Sequence, residues 1–226
     1  EKYKRISIIG MEKNVGKTTL LNKLIADIGK TKKLGLTSIG RDGEDIDVVT
    51  NTDKPRIYVR EGSIIATGRD CLSKCDITKE ILYVTNFTTP MGSIVLVRAL
   101  SDGYVDIAGP SYNKQVKIIV ELMEKFGSEI SIVDGALGRK STAISDVSEA
   151  TILSTGAALS LDMLKVVEET KKTVYFLRLK EIDKNIKEKI KEFKDEKAVL
   201  FYKNGEVAIL EVSNSIDLSN ILKEYL

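Results

Sequence analysis

Hydrophobic positions along the chain first form a short continuous block, Arg5-Ile6-Ser7-Ile8-Ile9, that stops at Gly10. After a polar stretch they return at helical spacing, with Leu20, Leu21, Leu24, Ile25 and Ile28 on one face. This order predicts a strand, a loop and an amphipathic helix. Gly29 closes the helix, and Leu34 to Ile39 reads as a second strand before the polar turn Gly40-Arg41-Asp42-Gly43-Glu44. A strand-helix-strand start predicts a parallel sheet.

From about 55 to 109 the rhythm changes to short apolar runs at Ile57-Tyr58-Val59, Ile64-Ile65-Ala66, Ile81 to Val84, Ile94 to Val97 and Tyr104 to Ile107. Glu61-Gly62 and Asp102-Gly103 are hairpin signals. These runs predict antiparallel strands that either extend the sheet edge or form a small inserted β layer, with helical character near Cys71. The α/β rhythm then resumes, with a helix from about Asn113 to Phe126, strands at Ile130 to Val133 and Thr151 to Leu153, and a helix reaching Thr170. A further strand is expected at Val174 to Leu177, then a charged helix with Ile186, Ile190 and Phe193 on its buried side. Asn204-Gly205 predicts a two-residue hairpin between Val199 to Tyr202 and Val207 to Val212, and a short helix follows.

Composition narrows the picture without changing it. The chain has 226 residues, 42% hydrophobic and 30% charged, a balance that favours one domain over 1–226 with a β-rich insertion at about 55–109. Its 35 basic and 33 acidic residues nearly cancel and are interleaved, which argues against a nucleic-acid partner. The apolar runs near Ile6 and Ile94 are strand-length and bounded by charges, so no membrane span or signal peptide is expected, and the location expected is cytoplasmic. Cys71 and Cys75 sit four apart and read as reduced structural thiols, since two thiols alone cannot complete a metal site. Histidine is absent. Any chemistry must therefore use carboxylates, lysines, backbone amides, a metal or a bound nucleotide.

Gly10-Met11-Glu12-Lys13-Asn14-Val15-Gly16-Lys17-Thr18-Thr19 lies between the first strand and its helix. A nucleoside triphosphate needs backbone amides converging on its phosphates, glycine where the chain comes close, and a helix N-terminus behind them. In that role Gly10, Asn14, Val15 and Gly16 form the cradle, with Gly16 giving the close approach. Lys17 bridges phosphate oxygens, Thr18 offers its hydroxyl to Mg²⁺, and Thr19 and nearby amides hold the α-phosphate. Gly10 and Gly16 are separated by five residues where the ordinary Walker pattern has four, so Met11 takes the place of the first motif glycine.

A second motif comes from Ile130-Ser131-Ile132-Val133-Asp134, an apolar run that delivers a carboxylate to a strand end, where open parallel sheets bind ligands. Asp134 is the candidate Mg²⁺ ligand. Asp42, with Glu44, is a candidate for a second metal contact or for orienting water. Arg139-Lys140-Ser141 reads either as a phosphate or carboxylate contact or as a solvated loop. Ser154-Thr155-Gly156 reads either as a base, ribose or substrate contact or as a helix cap. The guanine-recognition pattern Asn-Lys-x-Asp is absent, because Asn113-Lys114 is followed by Gln115-Val116, and ATP is preferred to GTP.

The five-residue spacing before Gly16-Lys17-Thr18, with Val133-Asp134-Gly135-Ala136-Leu137-Gly138, resembles the dethiobiotin synthetase and cobyrinic acid synthase branch of P-loop NTPases, which is similar to the nitrogenase iron protein group. The resemblance implies a mainly parallel P-loop sheet flanked by helices; by their positions in the sequence Lys17 and Asp42 are the expected catalytic residues, with ATP and Mg²⁺ as the expected ligands. Members of the group often carry a signature lysine where this chain has Glu12. Lys13, one position off, reads either as a phosphate contact or as a solvated loop lysine. The substrate lysine of dethiobiotin synthetase has no counterpart in Leu36 to Glu44, and the β-rich insertion is foreign to that enzyme.

Over most of its length the chain resembles a clostridial type of P-loop protein, through Ser38 to Glu44, Lys54 to Val59, Asp134 to Ser141 and Thr151 to Ser160. That type is associated with adenosylcobalamin-dependent amino-acid mutases, particularly lysine 5,6-aminomutase, and the resemblance implies the P-loop subunit of a reactivase acting with a second ATPase subunit. It also implies a homodimer, since related proteins place two sites across a dimer. The alternatives are an ATP-dependent small-molecule ligase or kinase, and a nucleotide sensor.

Overall fold

The computed structural model describes residues 2–40, 46–47, 52–53, 56–135, 147–179 and 182–211. The chain, expected from its sequence as one domain, divides into two compact units, Glu1–Leu177 and Arg178–Leu226. In the first unit β1 (Arg5–Gly10) leads into α1 (Lys17–Ile28) and β2 (Leu34–Ser38), then the two-residue β3 (Ile46–Asp47) and β4 (Thr52–Asp53). After β5 (Ile57–Val59) and β6 (Ile64–Gly68), a 3₁₀ turn at Arg69–Lys74 precedes β7 (Lys79–Thr89), β8 (Gly92–Ala99) and β9 (Gly103–Val105). α2 (Asn113–Lys125), β10 (Ile130–Asp134), β11 (Ala150–Ser154) and α3 (Met163–Leu177) complete the unit.

The central sheet has seven strands in the order β11-β1-β10-β2-β6-β8-β7. Pairings from β11 to β6 are parallel, as the opening pattern predicts, and β6-β8 and β8-β7 are antiparallel. Chain order is not spatial order: β10 lies between β1 and β2.

Both faces of the sheet are covered, which is why its inner strands read as unbroken apolar runs. On one face Ile65, Val95, Val97 and Ile132 pack with Leu21 and Ile25 of α1 and with Ile57, Val59 and Val105. On the other, Ile64, Ala66, Ile94, Leu96 and Val133 pack with Val116, Ile119, Val120 and Met123 of α2. Successive residues of one strand point to opposite faces, so each strand feeds two cores. Arg5 ties the start of β1 to α2 through a two-pronged contact with Glu124, both N···O distances being 2.7 Å.

The 55–109 insertion does both things that its sequence left open. Its strands β6, β8 and β7 extend the central sheet, while β5 and β9 pair with each other as a separate layer. Glu61-Gly62 is a turn, whereas the chain bends at Leu100-Ser101 and Gly103 already opens β9; neither place joins two paired strands as expected, because β5 leaves the main sheet to lie beside α1. Asn22 of α1 holds it there: its Nδ2 donates to Arg56 O at 3.2 Å, and Tyr58 N donates to its Oδ1 at 3.1 Å. The tight hairpin is β7-β8, where Thr89 pairs with Gly92 around Pro90-Met91 and Gly92 has φ +82°.

Val174 to Leu177, expected as a strand, is instead the last turn of α3. Its β-branched and aromatic residues carry only a weak local preference, and the helical period continues through them. Val166, Glu169, Thr170 and Thr173 are the half-buried positions of that helix, and Thr170 Oγ1 donates back to Val166 O at 2.7 Å. Asp162 Oδ1 accepts from Leu164 N at 2.9 Å and caps the helix start.

The second unit contains α4 (Lys184–Ile190), capped by Asp183, a 3₁₀ turn at Lys191–Phe193, and an antiparallel hairpin of β12 (Val199–Phe201) and β13 (Val207–Ile209). Ile186 and Phe193 are half-buried as expected, whereas Ile190 is exposed. The hairpin loop is longer than the predicted two residues. Tyr202 N donates to Glu206 O at 2.9 Å and Gly205 N to Tyr202 O at 3.0 Å, leaving Lys203, Asn204 and Gly205 in the loop with Gly205 at φ +91°. The expected terminal helix lies outside the described residues. Among the described residues no helix is long and apolar enough to cross a membrane.

Because Ile119 is fully buried where α2 meets the sheet, I119A should lower the unfolding free energy by about 2–5 kcal/mol. Urea denaturation would show this as an earlier midpoint at unchanged slope. An unmoved midpoint would remove α2 from the core.

Candidate functional site

The carboxyl ends of β11, β1, β10 and β2 line up through their pairing register. Gly10 lies opposite Ser154, Ile8 opposite Asp134, and Asp134 opposite Ser38. The backbone continues the pairing past the strands, with Met11 N donating to Ser154 O at 2.9 Å, Gly135 N to Ile8 O at 2.8 Å and Ile39 N to Asp134 O at 2.8 Å. Ligand sites of parallel sheets form at this edge.

Between Gly10 and α1 the chain makes a tight loop with Asn14 at φ +59° and Gly16 at φ +84°. Gly16 is the N-cap of α1 and offers no side chain to its amides, and the first helical turn holds no acidic residue. The first amides of α1 therefore present an uncompensated partial positive charge at the sheet edge, suited to an anion. The two glycines have different reasons to be glycine. A Cβ on Gly16 would meet nothing within 4 Å, so it is the left-handed backbone that requires glycine there. Gly10 is a separate close approach within the protein, where a Cβ would lie 2.7 Å from Val15 Cγ2 and 2.8 Å from Lys17 Cδ.

Lys17 thus runs its aliphatic stem back over Gly10, and its Nζ reaches Glu12 O at 3.5 Å. Thr18 is half-buried and Thr19 exposed. One turn further along, Asn22 makes the contacts that anchor β5. On the neighbouring strand Asp134 presents a carboxylate whose Oδ1 is buried. The pairing of β10 with β1 thus brings Asp134 to the same edge as the loop, as the sequence predicts. Asp42, Glu44, Ala136 to Gly138 and Arg139-Lys140-Ser141 lie outside the described residues.

Two further features were not singled out from the sequence. Glu12 Oε1 accepts from Lys13 N at 2.9 Å, so the loop carries its own carboxylate. Ser38 Oγ accepts from Gly109 N at 2.9 Å and donates to Ile107 O at 3.4 Å, holding residues 107–109 against the end of β2. A Cβ on Gly109 would come within 1.8 Å of Ser38 O, and glycine in Ala108-Gly109-Pro110 is the signal that could have marked this contact. Thr155 does not cap a helix. Its hydroxyl shares a 3.0 Å bond with Thr170 in the middle of α3.

Neither Cys71 nor Cys75 is in a disulfide, and Cys75 Sγ donates to Cys71 O at 3.2 Å. Burial pushes the Cys75 thiol up from its ordinary range, which keeps it protonated and unreactive. Among the described residues no group of three or more His, Cys, Asp or Glu could hold a metal ion. A hard cation that needs only one or two protein oxygens is a different case. The Thr18 hydroxyl and the Asp134 carboxylate are the oxygens that could hold such a cation.

Fold and edge together define an α/β chain, mainly parallel in its central sheet, with an anion-suited glycine loop at the carboxyl end of β1. No protein-family model, no curated protein and no solved structure matches the chain.

Since only flexible side-chain atoms and Val15 crowd Gly10, G10A should fold while displacing Lys17 from its path. Pyrophosphate affinity should fall about 10-fold or more, the scale of one lost charge-assisted hydrogen bond, with the circular dichroism spectrum unchanged. Wild-type affinity in G10A would show that the Lys17 path is irrelevant to anion binding.

Proposed function

We propose that this chain is a Mg²⁺-dependent ATP-binding P-loop NTPase that hydrolyses its nucleotide. The observation that carries the reading is the left-handed loop feeding the uncapped start of α1 while Lys17 lies across Gly10. In this reading the amides from Asn14 to Thr19 hold the phosphate chain, and Lys17 neutralises the oxygens it reaches. The Thr18 hydroxyl and Asp134 would hold Mg²⁺, which supplies charge compensation on the phosphates. Asp42, assigned from the sequence alone, would make a second metal contact or orient the attacking water. Phosphoryl transfer asks little covalent chemistry of the protein, so a chain without histidine can carry it out by positioning and electrostatics.

The narrower proposal rests on the sequence resemblance: the chain is the P-loop component of a reactivase for an adenosylcobalamin-dependent amino-acid mutase, acting with a second ATPase subunit. Nucleotide binding can open a partner's site only if the nucleotide-bound form prefers the open partner, and hydrolysis then resets the cycle. The absence of a lysine in Leu36 to Glu44 weighs against a dethiobiotin synthetase-like ligase.

Steady-state phosphate release with and without Mg²⁺, paired with equilibrium nucleotide binding, tests the reading. K17A should lose about 10–100-fold in ATP affinity, the scale of one or two charge-assisted hydrogen bonds. D134N should keep measurable affinity while its Mg²⁺-dependent turnover falls about 100-fold. Turnover in D134N equal to wild type would remove Asp134 from the metal role, and failure of the wild-type chain to bind ATP would overturn the nucleotide reading.

A further inference from the structure

Between Gly10 and Ala26 the chain holds one acidic residue, Glu12. Its carboxylate sits on the loop itself, with Oε1 accepting from Lys13 N at 2.9 Å, while its carbonyl oxygen lies 3.5 Å from the Lys17 ammonium. The Lys13 amide is a donor that an arriving phosphate chain would use, and the Glu12 carboxylate occupies it, whereas the Lys17 contact is to the Glu12 main-chain carbonyl and is independent of the side chain. We infer that Glu12 acts as the loop's internal anion and makes it discriminate against metal-free polyphosphate in favour of the magnesium complex. This inference rests on the phosphate-binding reading above.

The argument is one of like charge at short range. A polyphosphate entering the loop must either displace the carboxylate from Lys13 N or lie beside it, and both penalties grow with the negative charge the ligand brings. Mg²⁺ cancels part of that charge before the ligand enters, so the complexed nucleotide meets less repulsion than the free one. Nothing else acidic in the first turn of α1 shares this role. Glu12 is solvent-exposed, which screens the effect to a modest size and also makes its substitution harmless to folding.

E12Q keeps an oxygen acceptor for Lys13 N and loses the charge, while E12A loses both. Calorimetric titration of wild type, E12Q and E12A with pyrophosphate, metal-free ATP and Mg·ATP at fixed ionic strength reads the preference directly. In E12Q the two metal-free ligands should bind about 3–10-fold tighter and Mg·ATP less than about 2-fold tighter, with the difference shrinking at high salt. E12A should follow E12Q, because the charge and not the hydrogen bond sets the preference. Binding by wild type with an unchanged ratio of Mg·ATP to metal-free affinity in E12Q would overturn the role of Glu12 and leave the phosphate site standing. No binding by wild type or either variant would overturn both.

Discussion

The pairing of β1 with β10 on one side and β11 on the other is the constraint on which the rest of the first unit depends. β1 is short, and its hydrogen bonds run past its end, Gly135 N to Ile8 O on one flank and Met11 N to Ser154 O on the other. With both flanks satisfied, the chain leaves β1 at a defined point and in a defined direction. The loop and α1 start there, and Asp134 arrives beside them because parallel register places it opposite Ile8. A slip of one residue would turn Ile8 and Ile132 away from α1 and move the carboxylate off the edge.

That register is held by burial on both faces. Ile8 and Ile132 meet the core under α1 while Val133 meets the core under α2, so neither face can be given up without exposing large apolar side chains. Polar contacts refine the arrangement more than they stabilise it. Asn22 sets where β5 lies against α1, Ser38 sets where residues 107–109 meet the end of β2, and the Arg5–Glu124 pair fixes the start of β1 against α2. Asn22 is also one helical turn beyond Thr18, so the segment that leaves the loop is the one that anchors the outer β5-β9 layer.

At the loop, charge and backbone geometry act together. Left-handed residues at Asn14 and Gly16 bend the chain so that the helix amides face outward, and the glycine at position 10 clears the path for the Lys17 stem. The result is a concentration of donors, with Glu12 as the one carboxylate of the loop itself and Asp134 on the neighbouring strand. In the proposed phosphate-binding role that balance would suit the loop to anions, with Glu12 bearing on which anions it favours.

Most of the parallel core was legible in the sequence. The β1-loop-α1 unit, α2, β10 and β11 are announced by short continuous apolar runs for the strands and a 3.6-residue period for the helices, with Gly10 ending β1 and Asp134 ending β10, signals that need no distant partner. The misreadings fall where distant partners decide. Glu61-Gly62 turns the chain as expected and the second bend falls at Leu100-Ser101, just before Asp102-Gly103, but whether a turn joins paired strands depends on β5 finding β9 and α1, which no local spacing encodes. At Val174 to Leu177 strand-forming residues lost to a helix already propagating through them. The sequence by itself therefore determined which segments are strands and helices in the core, that the loop is glycine-bent and lysine-bearing, and that Asp134 ends a strand. Only the tertiary structure decided that β10 is inserted beside β1, that Lys17 crosses Gly10 and not Gly16, and that Glu12 turns onto the loop. Those outcomes depend on through-space register and packing between residues far apart in the chain or folded back on themselves, and hydrophobic periodicity carries no information about either.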